Sequence, residues 1–152
     1  IESIQIPRED CTEAGDDPRS CDGGHLPAAT QADIETAART AVERGEAESY
    51  GEALFNLSLA GGAYSCARCH TLGWSYGQPG VSGQGAYGWN LTGGSTNAHF
   101  ADEASLVDFI KNGSEFGKLY GRNAQGSGRM PGFGSMLTDE QIHAILDYVR
   151  SL

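Results

Sequence analysis

The run Cys66-Ala67-Arg68-Cys69-His70 combines residue types and a spacing that specify a reaction. Two thiols at this spacing can each add across a vinyl group of haem, leaving two thioether bonds. The adjacent histidine is thereby delivered to the iron as an axial ligand. Two other chemistries use a Cys-x-x-Cys pair. A thioredoxin-like redox pair needs a βαβ context, and the chain shows no strand pattern. Half of a zinc site needs a second Cys-x-x-Cys or a histidine pair, and the chain has neither. One haem c, covalent through Cys66 and Cys69, is therefore the expected cofactor.

A six-coordinate iron needs a second ligand opposite His70. The chain offers Met130, Met136, His25, His99 and His143. Met130 lies in a glycine-rich loop and is followed by Pro131, which stiffens the backbone where the sulfur must be presented. Met136 stands just ahead of the last helix, where packing against the helix start is its expected role. His25 and His99 fall in loops and His143 lies between Ile142 and Ala144 on a helix, so all three are expected at the surface. Met130 is the expected ligand. A thioether favours ferrous iron and raises the potential relative to two histidines. Excluding water from the porphyrin disfavours the extra positive charge of ferric iron in the same direction. With both axial positions filled, the expected function is outer-sphere transfer of single electrons, without catalysis. The alternative, a haem subunit with a peroxidase-like or gas-sensing role, requires a vacant or exchangeable distal position.

The elements that hold these residues are helical. Thr138-Asp139-Glu140-Gln141 reads as a capping box, and Ile142, Ile145, Leu146 and Val149 follow as an apolar stripe at helical spacing. A second helix is expected over 101–112, with Leu106, Val107, Phe109 and Ile110 apolar and Gly113 as its stop. A third is expected from Glu48 to Leu57, ahead of the Cys-x-x-Cys-His run. A fourth is expected over 31–44, capped by Thr30 or Asp33, with Ile34, Ala37, Ala38, Ala41 and Val42 on one face. Between them lie long glycine-rich loops: 8 of the 22 residues from Gly73 to Gly94 are glycine. Wrapping a flat cofactor is a reason for loops of that length. The fold class expected is all-α, three to five helices around one haem.

Charge divides the chain. Residues 1–52 hold 13 acidic and 4 basic side chains, and residues 53–152 hold 7 and 6. This acidity excludes nucleic acid as a partner, because phosphate binding needs clustered Lys and Arg. Residues 1–45 read as an acidic N-terminal extension and 46–152 as the haem domain. Cys11 and Cys21 bracket a turn-rich acidic stretch with no histidine at metal-site spacing, so a disulfide between them is expected. That bond implies an oxidising compartment, periplasmic or on the outer face of the cytoplasmic membrane. No apolar run is long enough to span a bilayer. The chain opens on Ile1 instead of Met, which leads us to expect an upstream segment, either a cleaved signal or a membrane anchor.

From about Glu48 to Leu152 the chain resembles the class I cytochromes c. Members read Gly-x-x-x-Phe in a first helix, then Cys-x-x-Cys-His, a Gly-Pro-x-Leu loop, a Met-Pro-x-Phe loop and a last helix carrying a tyrosine. Gly51 and Phe55, then Cys66, Cys69 and His70, then Met130-Pro131-Gly132-Phe133, then Leu137 through Tyr148 match in that order. The resemblance implies a close crossing of the first and last helices at Gly51, with Phe55 near Tyr148. It departs at Gly88-Trp89-Asn90-Leu91, where the family has proline in place of Trp89. In the family, the proline carbonyl accepts a hydrogen bond from the proximal histidine. The Trp89 carbonyl is the expected substitute, with Pro79 as the alternative. Trp89, Tyr120, Asn112 and Arg122 are candidates for the haem propionates or the methionine sulfur. Lys111, Lys118, Arg122 and Arg129 are candidates for a cationic rim that steers an acidic partner. Implied donors are a quinol-oxidising complex or a dehydrogenase, and implied acceptors are an oxidase, a reductase or a photo-oxidised centre.

Overall fold

The last helix is built by its own first turn. The Thr138 hydroxyl accepts from Gln141 N at 3.2 Å, while Gln141 Oε1 accepts from Thr138 N at 2.9 Å. Two backbone donors that a helix start leaves without partners are thus satisfied, and the stripe Ile142, Ile145, Leu146 and Val149 that follows is buried. The same logic opens two other helices. Ser49 Oγ accepts from Glu52 N at 3.1 Å. Asp102 takes both the amide and the hydroxyl of Ser105 at 2.8 Å, and these bonds hold its carboxyl below the usual range.

The computed structural model describes residues 28–57, 65–72, 81–85, 88–114 and 130–152. Cys11, Cys21, His25, Pro79, Lys118, Tyr120, Arg122 and Arg129 lie outside them, with whatever their positions led us to expect. Within the described residues the order is α1 (Ala28–Glu43), α2 (Tyr50–Asn56), α3 (Cys66–Cys69), α4 (Ser95–His99), α5 (Glu103–Asn112) and α6 (Asp139–Ser151). The fold is all-α; the β pairing present among the described residues is an isolated bridge between Thr71 and Ser82. No described helix is long and apolar enough to cross a membrane.

The frame is the contact of α2 with α6. Gly51 has no side chain, so the α2 backbone lies directly on the Ala144 carbonyl, and Phe55 meets Tyr148 edge-on with ring centroids 5.3 Å apart. Phe55, Leu57, Ile142 and Leu146 fill the interior behind this crossing, each 1% exposed or less. Helix α1 adds Ile34, Ala38 and Ala41 to the same core. Its small alanine face lets it pack closely on α2, where the Arg39 guanidinium sits 4.3 Å from the centre of the Tyr50 ring.

Two local expectations are corrected. Thr30 and Asp33 do not cap α1; they lie inside it, because Ala28 and Ala29 are strong helix formers that follow a proline in the sequence. Residues 95–99 were expected as loop but form a helical turn. Gly93 and Gly94, with φ of +66° and +73°, turn the chain into it.

Candidate haem site

Helix α3 is tied to the frame at its N-cap, Ser65. Ser65 is buried and donates to the Phe55 carbonyl at 3.3 Å, so the start of the Cys-x-x-Cys-His run is fastened to the end of α2. Cys66 and Ala67 then pack against the core, while Cys69 is exposed. Burial pushes the Cys66 thiol up to about 12, and burial raises Cys69 as well, against the opposing charge of Arg68.

His70 is enclosed by backbone. Its amide donates to the Cys66 carbonyl at 3.0 Å, and its own carbonyl accepts from Gly83 N at 2.5 Å. The Cys69 carbonyl accepts from Gly88 N at 2.8 Å, which draws the 88–91 segment alongside the imidazole. A Cβ at Gly88 would stand 2.7 Å from both ring nitrogens. The next residue supplies the decisive contact: His70 Nδ1 donates to the Trp89 carbonyl at 2.6 Å. That bond assigns the proton to Nδ1 and leaves the Nε2 lone pair available to a metal. Burial lowers the His70 pKa, with the Trp89 bond partly opposing, so the ring is neutral at physiological pH, the form that coordinates iron.

Trp89 is itself held. Its indole stacks on His99 with centroids 4.8 Å apart and planes 16° from parallel, and His99 meets Phe100, which meets Phe109. His99, expected at the surface, is 7% exposed, because this stack buries it. Its burial against Trp89 is what sequence reasoning missed. The available signal was the Asn90-Leu-Thr-Gly-Gly-Ser turn: Asn90 Oδ1 accepts from Thr92 N at 2.9 Å, and Ser95 Oγ donates to the Asn90 carbonyl. That turn starts α4 and brings Thr96 and His99, three residues apart, onto one buried face.

The distal candidates are positioned by α5. Ser114 and Met130 exchange two hydrogen bonds, Met130 N to Ser114 Oγ at 2.7 Å and Ser114 N to the Met130 carbonyl at 2.9 Å. Phe133 N and Gly134 N donate to the Ile110 and Lys111 carbonyls at 2.9 and 3.0 Å, laying the Met130-Pro131-Gly132-Phe133 segment across the end of α5. Gly113 makes this approach possible. Its φ is +69°, and a Cβ there would strike the Met130 carbonyl oxygen. Met130 and Pro131 are half-buried, and Met130 packs on the same core as Cys66. Cys66, Cys69, His70 and Trp89 thus form one cluster, and Met130 with Pro131 is held by separate elements bordering the same interior.

Other expected contacts are spent elsewhere. Asn112 is exposed and its amide donates to Asp108 on its own helix. The Lys111 ammonium pairs with Asp139 at 2.8 Å. His143 is exposed, 3.4 Å from Glu103.

Buried polar atoms supply the test of whether haem suits these residues. Among the described residues, Trp89 Nε1, His99 Nδ1, Thr71 Oγ1, Thr96 Oγ1 and the Arg150 Nε and Nη2 atoms are buried without a partner. Buried polar atoms are nearly always satisfied, and indole and guanidinium nitrogens only donate. A group with acceptors is called for, and a haem brings two carboxylates. The residues fit.

A family model described as "Cytochrome C oxidase, cbb3-type, subunit III" matches residues 51–149, from the crossing glycine of α2 to the last turns of α6. No curated protein and no solved structure matches the chain. The matched span is about two-thirds of the sequence and contains the whole cluster around His70. The chain belongs to the family of cytochrome c oxidase, cbb3-type, subunit III, and is a c-type cytochrome with the all-α cytochrome c fold.

Proposed function

We propose that this chain is a single-electron carrier using one haem c, bound through Cys66 and Cys69 and ligated by His70 and Met130. The bond from His70 Nδ1 to the Trp89 carbonyl carries the reading, because it presets the tautomer and the ring orientation that an axial ligand needs. The haem, when bound, supplies an iron that cycles between ferrous and ferric. The chain's part is to hold the imidazole, present the thioether of Met130 and keep water away. The family supports exchange with redox partner complexes; in this reading the donor is a quinol-oxidising complex or dehydrogenase, and the acceptor an oxidase, reductase or photo-oxidised centre. We place the domain, residues 46–152, outside the cytoplasm, with residues 1–45 as an extension closed by a Cys11–Cys21 disulfide.

Spectroscopy of the haem-loaded protein tests the ligand set. The ferric protein is expected to show the weak far-red charge-transfer band of methionine-bound iron, and the ferrous protein is expected not to bind carbon monoxide. Met130→Ala should abolish the band and admit carbon monoxide, while Met136→Ala should do neither. A wild-type protein that binds carbon monoxide would instead favour the catalytic or gas-sensing alternative.

Gly88→Ala probes the other face. The added methyl overlaps the His70 ring and must push it off the Trp89 carbonyl. A hydrogen bond worth about 1 kcal/mol, if lost wholly from the ferric side, corresponds to roughly 40 mV for one electron. The expected result is a potential raised by up to about that amount, read by redox titration, with the far-red band retained.

A further inference from the structure

The family match begins at Gly51, so α1 lies outside it, yet α1 touches the segment that carries the proposed distal ligand. We propose that α1 is a strap that keeps the Met130–Met136 segment closed, with Gln31 as its positioning residue. The inference rests on Met130 being the iron ligand.

The segment is fastened at both ends. At its start, Ser114 and Met130 exchange their two hydrogen bonds at the end of α5. At its end, Met136 N and Leu137 N both turn back onto the Phe133 carbonyl, at 3.0 and 2.9 Å. The Met136 carbonyl then faces α1, where Gln31 Nε2 donates to it at 2.7 Å across a sequence separation of 105. Among the described residues Gln31 Oε1, which is buried, has no partner, so within them this donation alone orients the carboxamide. The opposite orientation would set two oxygens against each other.

A second line runs in parallel. The Arg39 guanidinium lies over the Tyr50 ring, and the Tyr50 hydroxyl accepts from Gln141 Nε2 at 3.4 Å. Gln141 is the residue whose side chain closes the capping box on Thr138, two residues after Met136. Helix α1 therefore bears on the segment directly at Met136 and indirectly at the start of α6. Ile34 and Ala38, both 0% exposed, seat the helix that makes these contacts. If release of Met130 from the iron involves a lift of this segment, lifting its far end would strip the Met136 carbonyl of the α1 donor. An acceptor left partly buried and unsatisfied resists that motion. The strap thereby sets how easily the distal position exchanges.

The experiment titrates imidazole, a competitor for the distal position, into the full-length ferric haem-loaded protein. Gln31→Met keeps the shape and helix propensity but cannot donate. It should bind imidazole about fivefold to tenfold more tightly than wild type, and should lose the far-red band at a lower pH. Gln31→Lys keeps a donor and should restore values close to wild type. Asp33→Ala, at an exposed position of α1, should leave both readouts unchanged. Wild-type imidazole affinity in Gln31→Met, with the far-red band present in the parent, would overturn the strap and leave Met130 ligation standing. Equal weakening in Gln31→Met and Asp33→Ala would also overturn it, as general loosening of α1. A parent protein without the band would overturn Met130 ligation, and the strap with it.

Discussion

Gly51→Ala is expected to lower the melting midpoint of the protein by roughly 9–13 °C, the change expected from about 3 kcal/mol in a chain of this size. The usual effect of this substitution inside a helix is the opposite, a gain of about 1 kcal/mol from reduced backbone freedom. Packing reverses the sign. The new methyl would clash with the Ala144 carbonyl oxygen, stand 2.7 Å from its carbon and 3.0 Å from Tyr148 Cβ. Two of these atoms are backbone of α6 and cannot rotate away, so the helices must separate. Separation also parts Phe55 from Tyr148 and loosens the residues behind them. Thermal unfolding followed by far-ultraviolet circular dichroism checks this. A midpoint at or above wild type would mean that the crossing is not the frame of the fold.

The second large effect concerns attachment. Cys66→Ala/Cys69→Ala is expected to yield protein whose haem is lost on denaturing electrophoresis, because no thioether then remains. The single variants should each keep one bond and stay haem-positive, but they should differ in stability. Cys66 packs on the core and Cys69 is exposed, so Cys66→Ala removes buried volume as well as a bond. Cys66→Ala should therefore melt lower than Cys69→Ala, by an amount in the range of about 1–2 kcal/mol. Haem retained by the double variant after denaturation would refute covalent attachment at these two residues.

What could be read from the sequence was local. The α6 start was visible because a capping box and a helical stripe are contained within a dozen residues, and both sides of that box close as the residue types require. Gly51 and Phe55 could be placed through the resemblance, since the crossing imposes size and shape at fixed positions. The Trp89 carbonyl could be proposed as acceptor because every residue has one, whatever its side chain. The burial of His99 was signalled only by the Asn90–Ser95 turn, which starts α4 without showing what α4 packs on. It comes from a stack between residues ten apart, on a helical turn too short to show periodicity. The role of α1 was equally hidden. An alanine-rich face predicts light packing, and nothing near Gln31 announces a carbonyl 105 residues away. Long-range contacts made by single polar atoms leave no pattern in sequence.

The acceptor for His70 being main chain has one more consequence. Position 89 carries two independent kinds of information. The peptide oxygen serves the imidazole regardless of residue type. The indole is therefore free for a separate contact, its stack with His99. A proline at this position would offer the same oxygen but no such surface. Position 89 thus holds one duty in the backbone and a second in the side chain.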